Sequence, residues 1–430
     1  MGKLTKLWGV GLSTLLMASV VAGCGANNNN SKNAAGTDQA PAASGSASPA
    51  AGGKITLMSD DVNNFGDKFK AYIQKAEQAT GITVDAVAMP TNTDDRQAKV
   101  VTLVSSGDTS VDVITVGEEM ISSLKQTGFL EPLSDVMTKE TGAQMPEALI
   151  KMMSVDDMPY GVPEFIEILT FWVDQAKLDA LGMDTIKTKD DFLKFVKANS
   201  KDGKYGYGGA WEKTYVFKDI GVFLNLFGGS FQDWNDPKTQ EAVKFMKDMV
   251  TDGTTPKAQL ADQYTTSVQK FIDGVYGSTF TYSSFMSKFE ESGKYGSKGL
   301  HIAPMPTFNQ SETYVGGWDY VLNASSKNKD AAKKFLTWAA SAEGQRAYYD
   351  MSTRLPARTD VINSPDFDAA GIEDLRHYLN ETTLIGSVMP KQSMEFISET
   401  GSLFQQYILD ELSLEDYCAK MQKVADKYLE

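Results

Sequence analysis

Cysteine and histidine are scarce in this chain. It has two of each among 430 residues: Cys24 and Cys418, His301 and His377. Two cysteines are too few for a disulfide scaffold, so the fold must rest on apolar cores. There is no CxxC, no HExxH and no EF-hand loop, and the histidines stand far apart, so the sequence offers no metal-site pattern and implies no cofactor. A nucleophile elbow, a Gly-rich phosphate loop and a catalytic-triad pattern are also missing. Positive charge is short as well. Lys plus Arg is 41 against 56 Asp plus Glu, a net charge of −15, which argues against nucleic acid or anionic lipid as a partner. Beyond residue 21 no apolar run is long enough to span a bilayer. Internal repeats are absent.

What is present begins with a processing segment. Lys3 and Lys6 form a positive n-region, Leu7 to Val21 an apolar h-region, and Val21-Ala22-Gly23-Cys24 reads as a bacterial lipobox. That predicts a signal peptide over 1–23, removed before Cys24, and lipidation of the Cys24 sulfur. Residues 25–53 hold no Val, Leu, Ile, Met or aromatic residue, so they have nothing to bury; 24–53 is expected to be a lipidated cysteine and flexible tether. As a coil it would span roughly 30 Å.

From Lys54 the pattern is α/β. Ile55 to Met58, Ile82 to Val87 and Val111 to Val116 read as strands. Between them come a helix with Phe69, Tyr72, Ile73 and Ala76 on one face, closed by Gly81, and another from Ala98 to Val104. This alternation predicts a parallel sheet with ligands at the carboxyl ends of its strands, where Asp60-Asp61 and Gly117-Glu118-Glu119 fall. Ile121 to Leu133 reads as a helix and a turn. After Gly161-Val162-Pro163 comes an apolar strand whose length suggests that it passes from one sheet to another. Asp236-Pro237 reads as a helix start, so Asp233 and Asp236 are read as turn and cap residues rather than a cation site. With 42% hydrophobic residues, the length suits two domains.

Tyr314 to Ala324 is the most informative stretch. Gly316-Gly317 reads as a turn, and Trp318-Asp319 follows it. An indole takes the apolar face of a pyranose and a carboxylate accepts from its hydroxyls. Read plainly instead, Trp318 is a core aromatic and Asp319 a turn residue.

In order, these segments resemble the family 1 extracellular solute-binding proteins of ABC importers, the maltose-binding-protein-like receptors. The resemblance rests on the lipobox and tether; on Gly161-Val162-Pro163 with Asp174 to Leu178; on Phe271 to Tyr282; and on Pro304-Met305-Pro306, Gly316-Gly317, Ser326 to Lys329 and Ser341 to Gln345. It covers essentially all of 54–430, although the family's usual Trp is missing after Lys187-Thr188-Lys189-Asp190 and Val173-Asp174 stands where Tyr-Asn is usual. The resemblance implies a two-lobed α/β fold of the periplasmic-binding-protein type II class, each lobe a mostly parallel sheet flanked by helices, joined by hinge strands. Lobe 1 would comprise 54–166 and 317–362, lobe 2 167–316 and 363–430. Crossings are expected near Phe165–Leu169, Val315–Tyr320 and Asp360–Phe367.

The function so implied is capture of a carbohydrate, an oligosaccharide, for the permease subunits of an ABC importer. The protein would be an extracytoplasmic monomer lipid-anchored at the outer face of the cell membrane, periplasmic if the cell has two membranes, and not an enzyme. The expected ligand contacts pair aromatics with acids: Trp211, Tyr215, Tyr282 and Trp318 beside Asp61, Glu118, Glu164, Glu167 and Asp319. Glu167 matches a sugar-binding acid of the family. For Trp211 and Tyr215 the alternative is a place in the second-lobe core. The same residue types suit a polyamine or other cationic solute through cation–π contact. A surface glycosidase would need two opposed carboxylates, and Glu118 and Glu119 are adjacent on one strand end.

Overall fold

The structure is a computed structural model and describes residues 52–369 and 371–429. The expected signal peptide, Cys24 and residues 25–51 of the tether lie outside the described residues.

The opening alternation folds as the pattern predicts. β1 (Lys54–Ser59), α1 (Asp67–Thr80), β2 (Thr83–Ala88), α2 (Thr93–Ser105) and β3 (Val113–Gly117) follow in order, and β1 pairs parallel with both β2 and β3. α1 buries Phe69, Tyr72, Ile73 and Ala76. Gly81 ends it in the left-handed region, φ 69°, with its N–H donated to the Glu77 carbonyl. Asn92 caps α2 by accepting from the Asp95 amide. α3 (Glu118–Leu124) starts where β3 stops, so Glu118 and Glu119 occupy its first turn; it ends well before Leu133.

Next in the chain come β4 (Gly161–Asp174), α4 (Val216–Phe227), α5 (Pro237–Thr251), α6 (Tyr264–Ile272), β5 (Ser278–Tyr282), β6 (Leu300–Ala303) and β7 (Glu312–Leu322). β4 has 14 residues, a span of roughly 45 Å. From Gly161 to Ile168 it pairs antiparallel with β7; from Leu169 to Asp174 its partners are β5 and β6, again antiparallel. The expectation of a mostly parallel sheet therefore holds among β1, β2 and β3, and fails both around β4 and between β3 and β7, which pair antiparallel. The helices after β4 return the chain at its far end rather than crossing over to its start, and only a crossover makes a parallel neighbour. α5 is capped by Asp236, whose side chain accepts from the Lys238 amide, with Pro237 at its first position, as expected.

α7 (Lys329–Ala339) and α8 (Ala342–Ser352) pack on α1, α7 burying Ala332, Phe335, Leu336 and Ala339 among others. The chain near Asp360–Phe367 is a short helix, Thr359–Ile362, followed by irregular backbone rather than a strand. β8 (Thr383–Gly386) pairs parallel with the start of β7, whose other half pairs with β3. β7 and β4 thus both run through two halves of one curled sheet. α9 (Ser393–Ile408) and α10 (Leu414–Tyr428) close the chain against α5, and Trp234 meets Tyr417 of α10 edge to face at 5.5 Å. Cys418 is buried in α10.

Gly316 and Gly317 are not a turn but the middle of β7, opposite Glu167 and Ile166 of β4. They are there for clearance. A Cβ on Gly317 would stand 2.2 Å from the Phe165 carbonyl oxygen, and one on Gly316 2.6 Å from Glu118 Oε2. Because successive side chains of a strand point to opposite faces, Trp318 and Asp319 cannot share a role. Trp318 is half-buried at the cleft, while Asp319 is 4% exposed on the other face, against Gly161. Its Oδ1 takes no hydrogen bond among the described residues. Burial pushes the Asp319 carboxyl up to about 7, with Glu118 adding to the effect and Lys125 opposing it.

Two outcomes are expected. Gly317→Ala should cost about 1–3 kcal/mol, because a backbone oxygen blocks the new methyl; a melting temperature equal to wild type would contradict the close approach. Asp319 has a folded-state pKa raised above its unfolded value of about 3.9, so its contribution to stability is full at low pH and is lost as pH rises toward 7. Asp319→Asn should accordingly melt above wild type at pH 8, with the gain shrinking toward pH 4. A gain independent of pH would sink the ionisation argument.

Candidate functional site

Where β4, β7 and the first turn of α3 face the start of α4, a cavity of about 690 Å³ opens. Its floor is Glu167 of β4 with Gly316, Gly317 and Trp318 of β7. One wall is aromatic. Tyr215, just before α4, meets Tyr264 of α6 edge to face at 5.5 Å, and Tyr264 meets Tyr282 of β5 at 5.0 Å and Phe285 at 6.4 Å. The opposite wall is polar: Arg96 of α2, Glu118 and Glu119 of α3, and Arg354. Arg96 lies 5.0 Å over the Trp318 ring and 3.8 Å from Asp60.

Charge in the cavity is largely compensated by the protein itself. Lys218 of α4 donates to Glu118 and to Ser387, joining α4 to the start of α3 and to the residue after β8. Burial raises the Glu119 and Glu167 carboxyls above the usual carboxylate range; a hydrogen bond from Ser284 and the Arg354 charge oppose this at Glu167.

Five of the nine expected contacts line this cavity: Glu118, Glu167, Tyr215, Tyr282 and Trp318. The other four are buried away from it. Trp211 is 0% exposed, donates its Nε1–H to Asp219 at 2.7 Å and packs edge to face on Phe404 at 5.3 Å, so it belongs to the core. Asp219 is itself wholly buried, and desolvation pushes its carboxyl up to about 7. Asp61 is 0% exposed and Glu164 1%. They sit beneath the floor, where Asp61 accepts from Tyr348 at 2.7 Å and is paired with Arg354 at 3.3 Å. Burial and the neighbouring carboxylate hold Glu164 well above its ordinary range. Asp319 faces away for the reason of strand alternation given above. An aromatic or acidic residue near a strand end is a weak pointer when side-chain direction is unknown.

Sequence reasoning missed Arg96, Lys218, Arg354, Tyr264 and Phe285. The basic residues went unseen because sugar recognition was sought only among aromatics and acids. Tyr264 had a usable signal: it opens an amphipathic helix that runs into the Phe271 to Tyr282 stretch.

Comparison with known proteins follows this geometry. The family model described as bacterial extracellular solute-binding protein matches residues 71–372. The maltodextrin-binding protein MdxE of Bacillus subtilis is 25% identical over 325 residues, 70% of this chain and 73% of that protein. A probable amino-acid ABC transporter periplasmic-binding protein, y4oP of Sinorhizobium fredii, is 22% identical over 309 residues, 67% of this chain and 69% of that protein. Among solved structures, maltose-bound T. maritima MalE3 superposes with a TM-score of 0.74 at 20% identity, covering 87% of this chain and 99% of that one, which establishes the two-lobed fold. On the match over 71–372, this chain belongs to the bacterial extracellular solute-binding protein family.

Proposed function

We propose that this chain captures a carbohydrate, an oligosaccharide, in the cleft and hands it to the permease subunits of an ABC importer. The observation that carries the reading is the pairing of surfaces in one cavity. Tyr215, Tyr264, Tyr282 and Phe285 form a wall of rings, Trp318 lies on the floor, and carboxylates and guanidinium groups face them. A pyranose needs flat apolar surfaces for its C–H faces and polar groups around its rim. MdxE is named for maltodextrin and MalE3 was solved with maltose, which agrees with the reading; y4oP is named for amino acids, so the relatives alone do not choose the ligand. A polyamine suits the cavity poorly, because Arg96, Lys218, Lys288 and Arg354 line it. Glu118 and Glu119 share one helical turn and Glu118 is tied to Lys218, an arrangement that suits binding better than glycoside hydrolysis.

In this reading lobe 1 comprises 54–166 and 317–362, lobe 2 comprises 167–316 and 363–430, and closure is a rotation about β4 and β7. The protein acts as a monomer, held through a lipid on Cys24 at the outer face of the cell membrane.

Trp318→Ala and Tyr282→Ala should each weaken oligosaccharide binding by on the order of 1.5–3 kcal/mol, roughly ten- to hundred-fold in Kd. Titration calorimetry against an oligosaccharide panel measures this, alongside melting curves of the free protein. Variants that melt low but bind normally once folded would make both rings packing residues. Cys24→Ala should appear in the soluble extracytoplasmic fraction with unchanged affinity; retention in the membrane fraction would remove the lipid anchor from the proposal.

A further inference from the structure

Arg354 follows Thr353, which ends α8 in the left-handed region at φ 60°. Its side chain is held more firmly than a surface guanidinium. Nη1 donates to Asp61 Oδ1 at 3.3 Å and to Tyr348 Oη at 3.2 Å. The guanidinium carbon lies 4.5 Å over the ring of Phe165 and 5.2 Å over that of Phe65. Asp61 is wholly buried. One end of the guanidinium is therefore tethered and two phenyl rings pack against it. Nε and Nη2 make no hydrogen bond to the described residues, and the residue lines the cavity. Glu167, on the same floor, forms no ion pair with it among the described residues.

We infer that the ligand carries a carboxylate and that Arg354 receives it. This rests on the carbohydrate reading above and narrows it to acidic sugars, those containing a uronate. The argument is geometric. A guanidinium has five N–H donors in a rigid planar fork, and two parallel donors match the two oxygens of a carboxylate in one plane. A sugar hydroxyl needs only one donor and sets no plane, so ring clamps and a buried tether would give it little. Lys218 is paired with Glu118, Arg96 with Asp60 and Arg354 with Asp61, so a carboxylate is favoured by the donors that Arg354 leaves open and not by a surplus of positive charge.

The test compares each acidic sugar with its neutral twin. Trigalacturonate and trimannuronate, their fully methyl-esterified forms, and the neutral trisaccharides maltotriose and xylotriose are titrated calorimetrically into the soluble protein, wild type and variant. The expected result is that at least one acid binds about tenfold or more tighter than its own ester, and that this ratio collapses in Arg354→Gln and falls in Arg354→Lys, which keeps the charge and loses the fork. Arg354→Gln leaves Asp61 without its counter-charge, so melting curves accompany it; if it does not fold, Arg354→Lys decides. Acid and ester binding equally, an acid preference that survives both variants, or binding of neutral trisaccharides alone would each overturn the acidic-group inference and leave the carbohydrate reading standing. Failure of every sugar to bind would overturn both.

Discussion

The site depends on how closely β7 lies against β4. Ile166 and Gly317 are register partners, and only a residue without Cβ fits under the Phe165 carbonyl. The same two strands carry the cavity floor and continue into both halves of the sheet. A side chain at 316 would displace Glu118 from the cavity wall, and one at 317 would part the strands. The glycines therefore matter less for backbone freedom than for the space they leave, and the position of every floor residue follows from that space.

Much of the fold was legible because its signals are local. Alternating strands, Gly81 as a helix terminator and Asp236-Pro237 as a helix start each follow from a few neighbouring residues. The length of β4 signalled a change of partners along the strand, but both sets of partners belong to one curled sheet and not to two. α4 was not legible: all 12 of its residues are buried, so its few polar residues mark no solvent-facing side. The antiparallel partners of β4 were hidden too, since strand direction is set by where distant helices return the chain.

The site was legible in composition and less so in residues. Tyr314 to Ala324 was rightly singled out, but Trp318 and Asp319 were treated as one unit although a strand separates neighbours to opposite faces. Asp61 and Glu164 were placed in the right neighbourhood and one layer too shallow: they lie under the floor, where Asp61 is anchored to Arg354 and Tyr348. Trp211 is drawn into the core by Asp219, a pairing between residues eight apart that no periodicity announces. The basic residues of the cleft have no sequence signature at all, because a surface lysine and a cleft lysine look alike until the fold brings them to a carboxylate.

The bond from Lys218 to Glu118 and Ser387 bears on the kinetics of recognition. Those three side chains are fixed and partly stripped of water by the fold itself. An arriving molecule does not have to order them, so preorganisation lowers the entropic cost of the complex. Among closely related complexes, differences in affinity reside mostly in how slowly the partner departs. In this cleft, discrimination between similar molecules is therefore a matter of residence time, set by the rings and the floor, more than of the speed of encounter.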